Sequence, residues 1–436
     1  MRPDAIAVAG IGTIVEQTPA HALWLRVEAA AGARIPTARP AGSLENARDQ
    51  ADLLRASALR STLQHWSRDG RSIEEFVENY PVPARLHTPA LPGGSPLTGE
   101  AWAKRYATTV SRALQLGVPM PFHDIGRSIV GEYLLGDSVW SGVFQRFENS
   151  PDMNSLLFFA EEGDAIRSDL GRWPPAGGET IQSRLSRQKA SDDLRDAFGS
   201  LLLKRPAATE WLRELAAHVQ DSVTTTRLDD GRTIRGPHGF KSLNEEGRIG
   251  MDTFHLRSAP TFTLDVPRPW SQFQMAQYDA LPVLAWVYRP NVASFLDAAK
   301  ARVPEAERVA SLQAALRAAV DVSMGGLPPV RIFHDSGCDA GAASRARVFF
   351  QALRGVLPDF DLFDVKAGYD LAQRLGDTGV ASAAVGVSVA TLAAWETGSA
   401  ALVVNLRRDD GATVLAVRPV NDAYRDQFKK RPYAPL

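Results

Sequence analysis

The chain has 436 residues, 44% hydrophobic and 23% charged, with a formal net charge of −1. That length buries a large core and suggests two or three domain-sized units, with the composition of an ordinary soluble globular protein. The balanced charge gives no overall pull toward nucleic acid or anionic lipid, and a single cysteine, Cys338, excludes an intramolecular disulfide and fits a bacterial cytoplasm.

Ala5 to Val15 reads as a buried first strand, because the run is short, β-branched and nearly continuous. A helix opened by Thr18-Pro19 runs through Ala30, and a polar helical stretch covers Leu44 to His65. Ser72 to Glu75 fits a capping box, and Val82 to His87 is a short strand bounded by prolines. Helices are expected over Glu100–Gly117 and Val130–Phe147, and a buried strand over Ser155–Ala160. Glu179 to Val223 reads as helical and charged. Thr224 to Gly250, polar and Gly-rich, is the expected mobile insertion.

Order restarts at Phe262–Pro269. The pattern predicts strands at Val283–Val287, Val330–Phe333 and Asp361–Val365, with helices over Glu305–Val322 and Ala342–Val356. Gly379 to Trp395 is a helix of small residues, apolar all round, which must be surrounded by protein. It is slightly short for a bilayer span, so no membrane span is expected. Two strands follow, joined across Arg408-Asp409-Asp410-Gly411. Strand and helix alternate on both sides of the polar middle, which argues α/β with a largely parallel sheet; the expected fold is a layered α/β body of mixed sheets with helices, in two halves. The expected division is an N-terminal half at 1–223, an insertion at 224–260 and a C-terminal half at 261–436.

Few motifs carry chemistry. Gly10-Ile11-Gly12 sits where a dinucleotide fingerprint would, but Val15 stands in place of its third glycine. Gly386-Val387-Ser388 lies inside a helix, where no nucleophile elbow forms; Ser388 is expected to bond back to the preceding turn. No phosphate loop and no zinc helix occur, and no cofactor or metal is expected. His334, Asp335 and Cys338 share one loop after a strand, where a thiol could be activated by imidazole. The plainer reading makes His and Asp helix caps and Cys a small core residue. Glu161, Glu162 and Asp164 follow another strand as acid/base candidates or as helix-start acids, and His123-Asp124 is a weaker pair of the same kind. Trp270, Phe273 and Tyr278 open an aromatic-rich stretch that could anchor a partner protein or cover the sheet.

Three segments carry a family resemblance: Trp270 to Pro290, Pro329 to Asp335 (PVRIFHD), and Asp364 to Leu406. In these the chain resembles the type VI secretion lipase-adaptor family. The resemblance implies a cytoplasmic bacterial adaptor that binds a toxic lipase effector protein and loads it onto the secretion spike protein, without catalysis. A second resemblance is to thiolase-like condensing enzymes, through the opening strand and the closing Gly-turn, helix and hairpin. There His334 approximates one active-site histidine, and Asp377 or Thr378 stands where a second would be. No cysteine occurs in the first half, where their nucleophile lies. His334, Asp335, Cys338, Asp377 and Thr378 would then line a vestigial pocket. The alternative functions are an acyl-group enzyme working through Cys338 and His334, and an immunity protein that blocks the lipase.

Overall fold

The computed structural model describes residues 4–35, 47–63, 83–87, 130–134, 139–151, 153–171, 193–206, 210–218, 223–227, 233–237, 272–326, 328–428 and 433. In the first half, strands are β1 (Ala5–Ile11), β2 (Ile14–Val15), β3 (Thr18–Pro19), β4 (Pro83–His87), β5 (Val130–Leu134), β6 (Ser155–Glu162) and β7 (Ala197–Lys204). Their helices are α1 (Ala20–Ala29), α2 (Ala47–Leu63), α3 (Val139–Asn149), α4 (Asp164–Gly171) and α5 (Glu210–Ala216). A separate two-stranded sheet pairs β8 (Val223–Arg227) with β9 (Thr233–Pro237). The second half holds α6 (Gln272–Ala280), β10 (Ala285–Tyr288), β11 (Asn291–Ser294), α7 (Glu305–Ala318), β12 (Arg331–Asp335), α8 (Ala342–Arg354), β13 (Gly368–Asp370), α9 (Leu371–Leu375), α10 (Ser382–Thr397), β14 (Ala401–Asn405), β15 (Gly411–Pro419) and α11 (Asp422–Arg425).

One mixed sheet runs β13-β12-β14-β15-β10-β1-β7-β6-β4-β5. Within each half the strands take the same spatial order: third, second, fourth, fifth, first. In each, the outer three are parallel and the inner two antiparallel. The halves join where β1 pairs antiparallel with β10, Ala5 opposite Tyr288. The fold is therefore α/β with a doubled plan, and its sheet is mixed rather than largely parallel, because the fifth strand of each half returns antiparallel between the outer strands and the first.

The sheet curls around α10, which touches β14, β15, β12 and β10 on one side and β7 and β6 on the other. Ala384 to Trp395 are all buried, so a helix apolar on every side is enclosed by both half-sheets and by α1. By length and composition Gly379–Thr397 could cross a membrane, but 83% of that window is buried inside the protein. Helix α10 ends at Gly398, whose φ of +64° is the left-handed conformation glycine tolerates. Leu23, Trp24, Val143, Phe144 and Phe147 of α1 and α3 share its layer. Helices α7 and α8 cover the outer face of the second half-sheet, packing Leu312, Leu316, Val348 and Phe349 on Ile332, Leu402 and Val404. Helices α2 and α4 cover the first half, with Ala51, Ala165 and Ile166 between them. Five layers result, helix and sheet alternating.

Several expectations change. Val130–Phe147 is a strand and a helix rather than one helix, and the stretch expected to be charged and helical contains β7, buried at every position. Its run Leu201-Leu202-Leu203 favours helix locally, and pairing with β1 and β6 overrides it. Asp361–Val365 is a pair of turns in which Asp361 Oδ1 accepts from Phe363 N–H and Asp364 Oδ1 from Lys366 N–H, each at 2.9 Å. The strand there is β13. The expected elements at Ser72–Glu75, Glu100–Gly117 and Phe262–Pro269 lie outside the described residues.

Candidate functional site

The doubled plan leaves a cleft where the halves meet, of about 450 Å³, whose lining includes Trp140, Glu162, Arg167, Val380, Asn405 and Arg407. The first half supplies the end of β6. Glu162 is buried there and accepts from Arg167 Nε at 2.7 Å, Gly163 N–H at 3.0 Å and Val380 N–H at 3.3 Å. The second half supplies the turn ahead of α10, where Asp377 accepts from Gly379 N–H at 2.9 Å. Trp140 of α3 donates its indole N–H to Ala383 O at 2.9 Å. Gly379 has a φ of +50°, and a Cβ there would lie 2.1 Å from Glu162 Cγ. Only a residue without a side chain lets the two halves close at this point.

Beside the cleft, Asp335 at the end of β12 and Asp377 before α10 are both buried. Arg407, just past β14, joins them: its guanidinium donates to both oxygens of Asp335 at 3.2 Å and to Asp377. Burial alone would lower its pKa, but the two carboxylates outweigh that and hold it above the usual arginine range. A second arginine, Arg345 of α8, donates to Ser336 O at 3.1 and 2.7 Å, to Asp339 at 2.6 Å and to Asp409 at 3.1 Å. Arg408 closes on Asp410 at 2.7 and 2.6 Å. The loop after β12 and the turn between β14 and β15 are thus fixed together by paired charges.

Cys338 sits half-buried in this loop, and burial pushes its thiol up to about 11, with Asp377 and Asp335 adding to the shift. A nucleophilic thiol needs the opposite shift. His334 faces away from Asp335, as successive strand residues must. Its ring lies 5.2 Å from Phe349 and 6.2 Å from Phe350 of α8, on the outer side of the sheet. So the structure brings together Asp335, Cys338, Asp377 and Thr378 and leaves His334 on the opposite face. Thr378 is buried and opens the turn into α10, its carbonyl accepting from Ala381 N–H at 3.0 Å. An imidazole-activated thiol is not formed.

His334 is buried with no hydrogen-bond partner on Nδ1. Burial lowers its pKa, against Asp370 and Asp335, which raise it, and with Arg374, which lowers it further. The folded state therefore holds the imidazole neutral, while the unfolded chain binds a proton near pH ~6.5. The stability this contributes is complete above that value and is lost as pH falls toward the folded pKa. A urea midpoint measured at pH 7 and pH 5 should fall more in the wild type than in His334→Leu.

Tyr278 is not at a partner surface. It is buried, and its hydroxyl donates toward Asn154 O at 3.0 Å and Arg205 O at 3.2 Å. Burial raises its pKa, and Lys204, beneath its ring, caps the carbonyls of Tyr278 and Leu281. The ring is the plug of α6 against the sheet rather than an anchor. Trp270 and the Phe273 side chain lie outside the described residues, as do His123 and Asp124. Glu161 pairs with buried Arg55 at 2.8 Å, on the face of β6 opposite Glu162. Of the acidic cluster after β6, Glu161 and Glu162 thus go to separate ion pairs, the second of which reaches the cleft, and Asp164 opens α4.

Sequence reasoning missed Arg407, Arg345 and Arg167, the cations that answer these carboxylates. The available signal was an arginine directly after the apolar run Ala401–Leu406, where a charge entering a sheet needs a buried partner. Ser388 also differs from expectation. It bonds to Thr13 Oγ1 at 2.5 Å, across the interface of α10 with the first half, rather than to its own helix.

Residues 284–419 match the family described as "Type VI lipase adapter protein Tla3, C-terminal". That segment carries β10 to β15 with α10, and with them Asp335, Cys338, Asp377 and Arg407. Among solved structures, the chain is similar to the ishigamide ketosynthase/chain length factor, at 13% identity and a TM-score of 0.48, covering 96% of this chain and 100% of that one. It is also similar to the ketosynthase from module 6 of the bacillaene synthase of Bacillus subtilis 168, at 12% identity and 0.44, covering 96% and 71%. A third is 3-oxoacyl-(acyl carrier protein) synthase III of Pseudomonas aeruginosa PAO1, at 10% identity and 0.40, covering 96% and 99%. These are enzymes of the class in the second resemblance. At such scores the likeness says nothing of this chain's chemistry.

Proposed function

We propose that the chain is a non-catalytic adaptor: it binds a lipase effector protein and loads it onto the spike protein of a type VI secretion system, in the bacterial cytoplasm. The observation that carries this reading is the match of residues 284–419 to a lipase adapter family. The site beside the cleft supports it. Its acids and bases neutralise one another as Asp335–Arg407–Asp377, Glu162–Arg167 and Arg408–Asp410, and its thiol is held protonated. Groups spent on one another fix a surface, which is what recognition by touch needs.

Two partner surfaces are required, each contact covering ~1,200–2,000 Å² in total for a stable complex. The stretch from Thr224 to Gly250 is proposed as one of them, within an insertion at 224–260 flanked by units at 1–223 and 261–436. Holding cargo beside the spike would raise its local concentration there and break no bond. The test mixes the purified chain with a type VI lipase effector and a spike protein from the same genome, then separates them by size exclusion. A complex of all three is expected, and Cys338→Ala should form it equally well. Failure of the lipase to bind, or an acyl-transfer activity lost in Cys338→Ala, would overturn the reading.

A further inference from the structure

Phe363 is the most exposed aromatic side chain among the described residues, at 78% of its full surface. It is not on a loose tail. The turns at Asp361 and Asp364 hold its backbone, Gly368 N–H donates to Asp364 O at 2.8 Å, and its ring meets Phe350 edge-on at 5.8 Å. Large apolar residues presented rigidly to solvent mark interaction sites.

Its neighbours make a patch. Val365, 38% exposed, is two residues on and lies against Gly32 at the end of α1. Val330, 52% exposed, precedes β12 by one residue, and the adjacent Ile332 N–H donates to Ala367 O at 2.8 Å. Leu25, 47% exposed, is one turn before Glu28, which accepts from Tyr369 Oη of β13 at 2.9 Å. Phe363, Val365 and Val330 therefore stand exposed on the two chain segments that lead into the paired strands β12 and β13, with Leu25 on the neighbouring helix α1. The loop that carries Phe363 also exposes Asp359, Asp361 and Asp364 against one cation, Lys366.

We infer that this patch is the docking surface for the lipase effector, and that the effector meets it with an apolar pocket rimmed by lysine and arginine. The inference rests on the adaptor reading and adds the place and chemistry of the contact. Charge decides the occupant. A second copy packed face to face would set the three aspartates against their own equivalents, and an anionic membrane would repel them. A basic-rimmed protein pocket answers both the ring and the carboxylates. Phe363, Val365 and Val330 also lie within the segment that matches the lipase adapter family.

Binding of a purified type VI lipase effector to the full-length chain, measured by calorimetry, tests this. Phe363→Asp should weaken it by about 30-fold or more, as loss of a central aromatic anchor does. Asp359→Lys should weaken it less, and the wild-type affinity should fall with added salt. Val292→Asp, on β11 three strands from β12 and as exposed as Val330, should bind as wild type. Thermal midpoints of the variants show that each is folded. Wild-type affinity in Phe363→Asp overturns the docking surface and leaves the adaptor reading standing. No binding by the wild-type chain overturns the adaptor reading itself. A wild-type dimer that Phe363→Asp dissolves assigns the patch to a second copy and overturns the inference.

Discussion

Replacing Arg407 with methionine is expected to destabilise the chain by about 3–5 kcal/mol, the usual cost of leaving a buried charge without its partner. Two carboxylates are affected at once, since Asp335 and Asp377 side chains are 4% and 12% exposed and both depend on this guanidinium. Each keeps a backbone donor, Gly337 N–H at 2.8 Å and Gly379 N–H at 2.9 Å, so some compensation survives. The remedy should be chemical rather than steric. Asp335→Asn with Asp377→Asn, added to Arg407→Met, removes the uncompensated charges and should recover much of the loss. A urea midpoint that does not move in Arg407→Met would show that the triad is incidental to the fold. If the triad instead carried an enzymatic role, the triple variant would regain stability without regaining activity, which separates the two explanations.

How much of this could be read from the chain alone follows from the range of each interaction. The core helix was legible because its signal is local: Ser382 to Trp395 is apolar on every side, and such a helix has to be enclosed. The closing hairpin was legible for the same reason, through alternation and a turn. The doubled strand order was not. It depends on β7, whose Leu-rich run reads equally as helix until β1 and β6 pair with it. The loop after β12 stands out in the sequence because His334, Asp335 and Cys338 fall together there, and the structure sets Asp377 beside Asp335 through the Arg407 that both share. Which way each side chain points was not legible. Strand alternation sends His334 to Phe349 and Asp335 to Arg407. The cation that settles the loop's character lies 72 residues further on. Tyr278 shows the same limit from the other side, since an aromatic run looks alike whether it anchors a partner or plugs a sheet.

Gly12→Ala should be the most damaging of the conservative changes, about 3 kcal/mol, and its reason bears on how the opening motif is read. A Cβ at Gly12 would sit 1.7 Å from Ala58 O and 2.1 Å from Thr62 Oγ1; one at Gly10 would sit 2.2 Å from Thr62 O. Helix α2 lies directly on the backbone of β1, and the obstruction is mostly main chain, which has no rotamer to yield. Thr62 tightens the contact by donating to Ala58 O at 2.8 Å and bonding Ser200 Oγ of β7 at 2.7 Å. These glycines thus serve helix-on-strand packing, and nothing in their geometry calls for a dinucleotide. Gly386→Ala is the control. It places a Cβ 3.0 Å from Val403 Cγ1, a side-chain methyl that can shift, and gains up to ~1 kcal/mol of helix propensity, so its net effect should be close to zero. Thermal unfolding of the two variants side by side should separate them clearly. Equal midpoints would mean that α2 does not rest on β1 as closely as its glycines imply, and the fingerprint reading of Gly10-Ile11-Gly12 would have to be reopened.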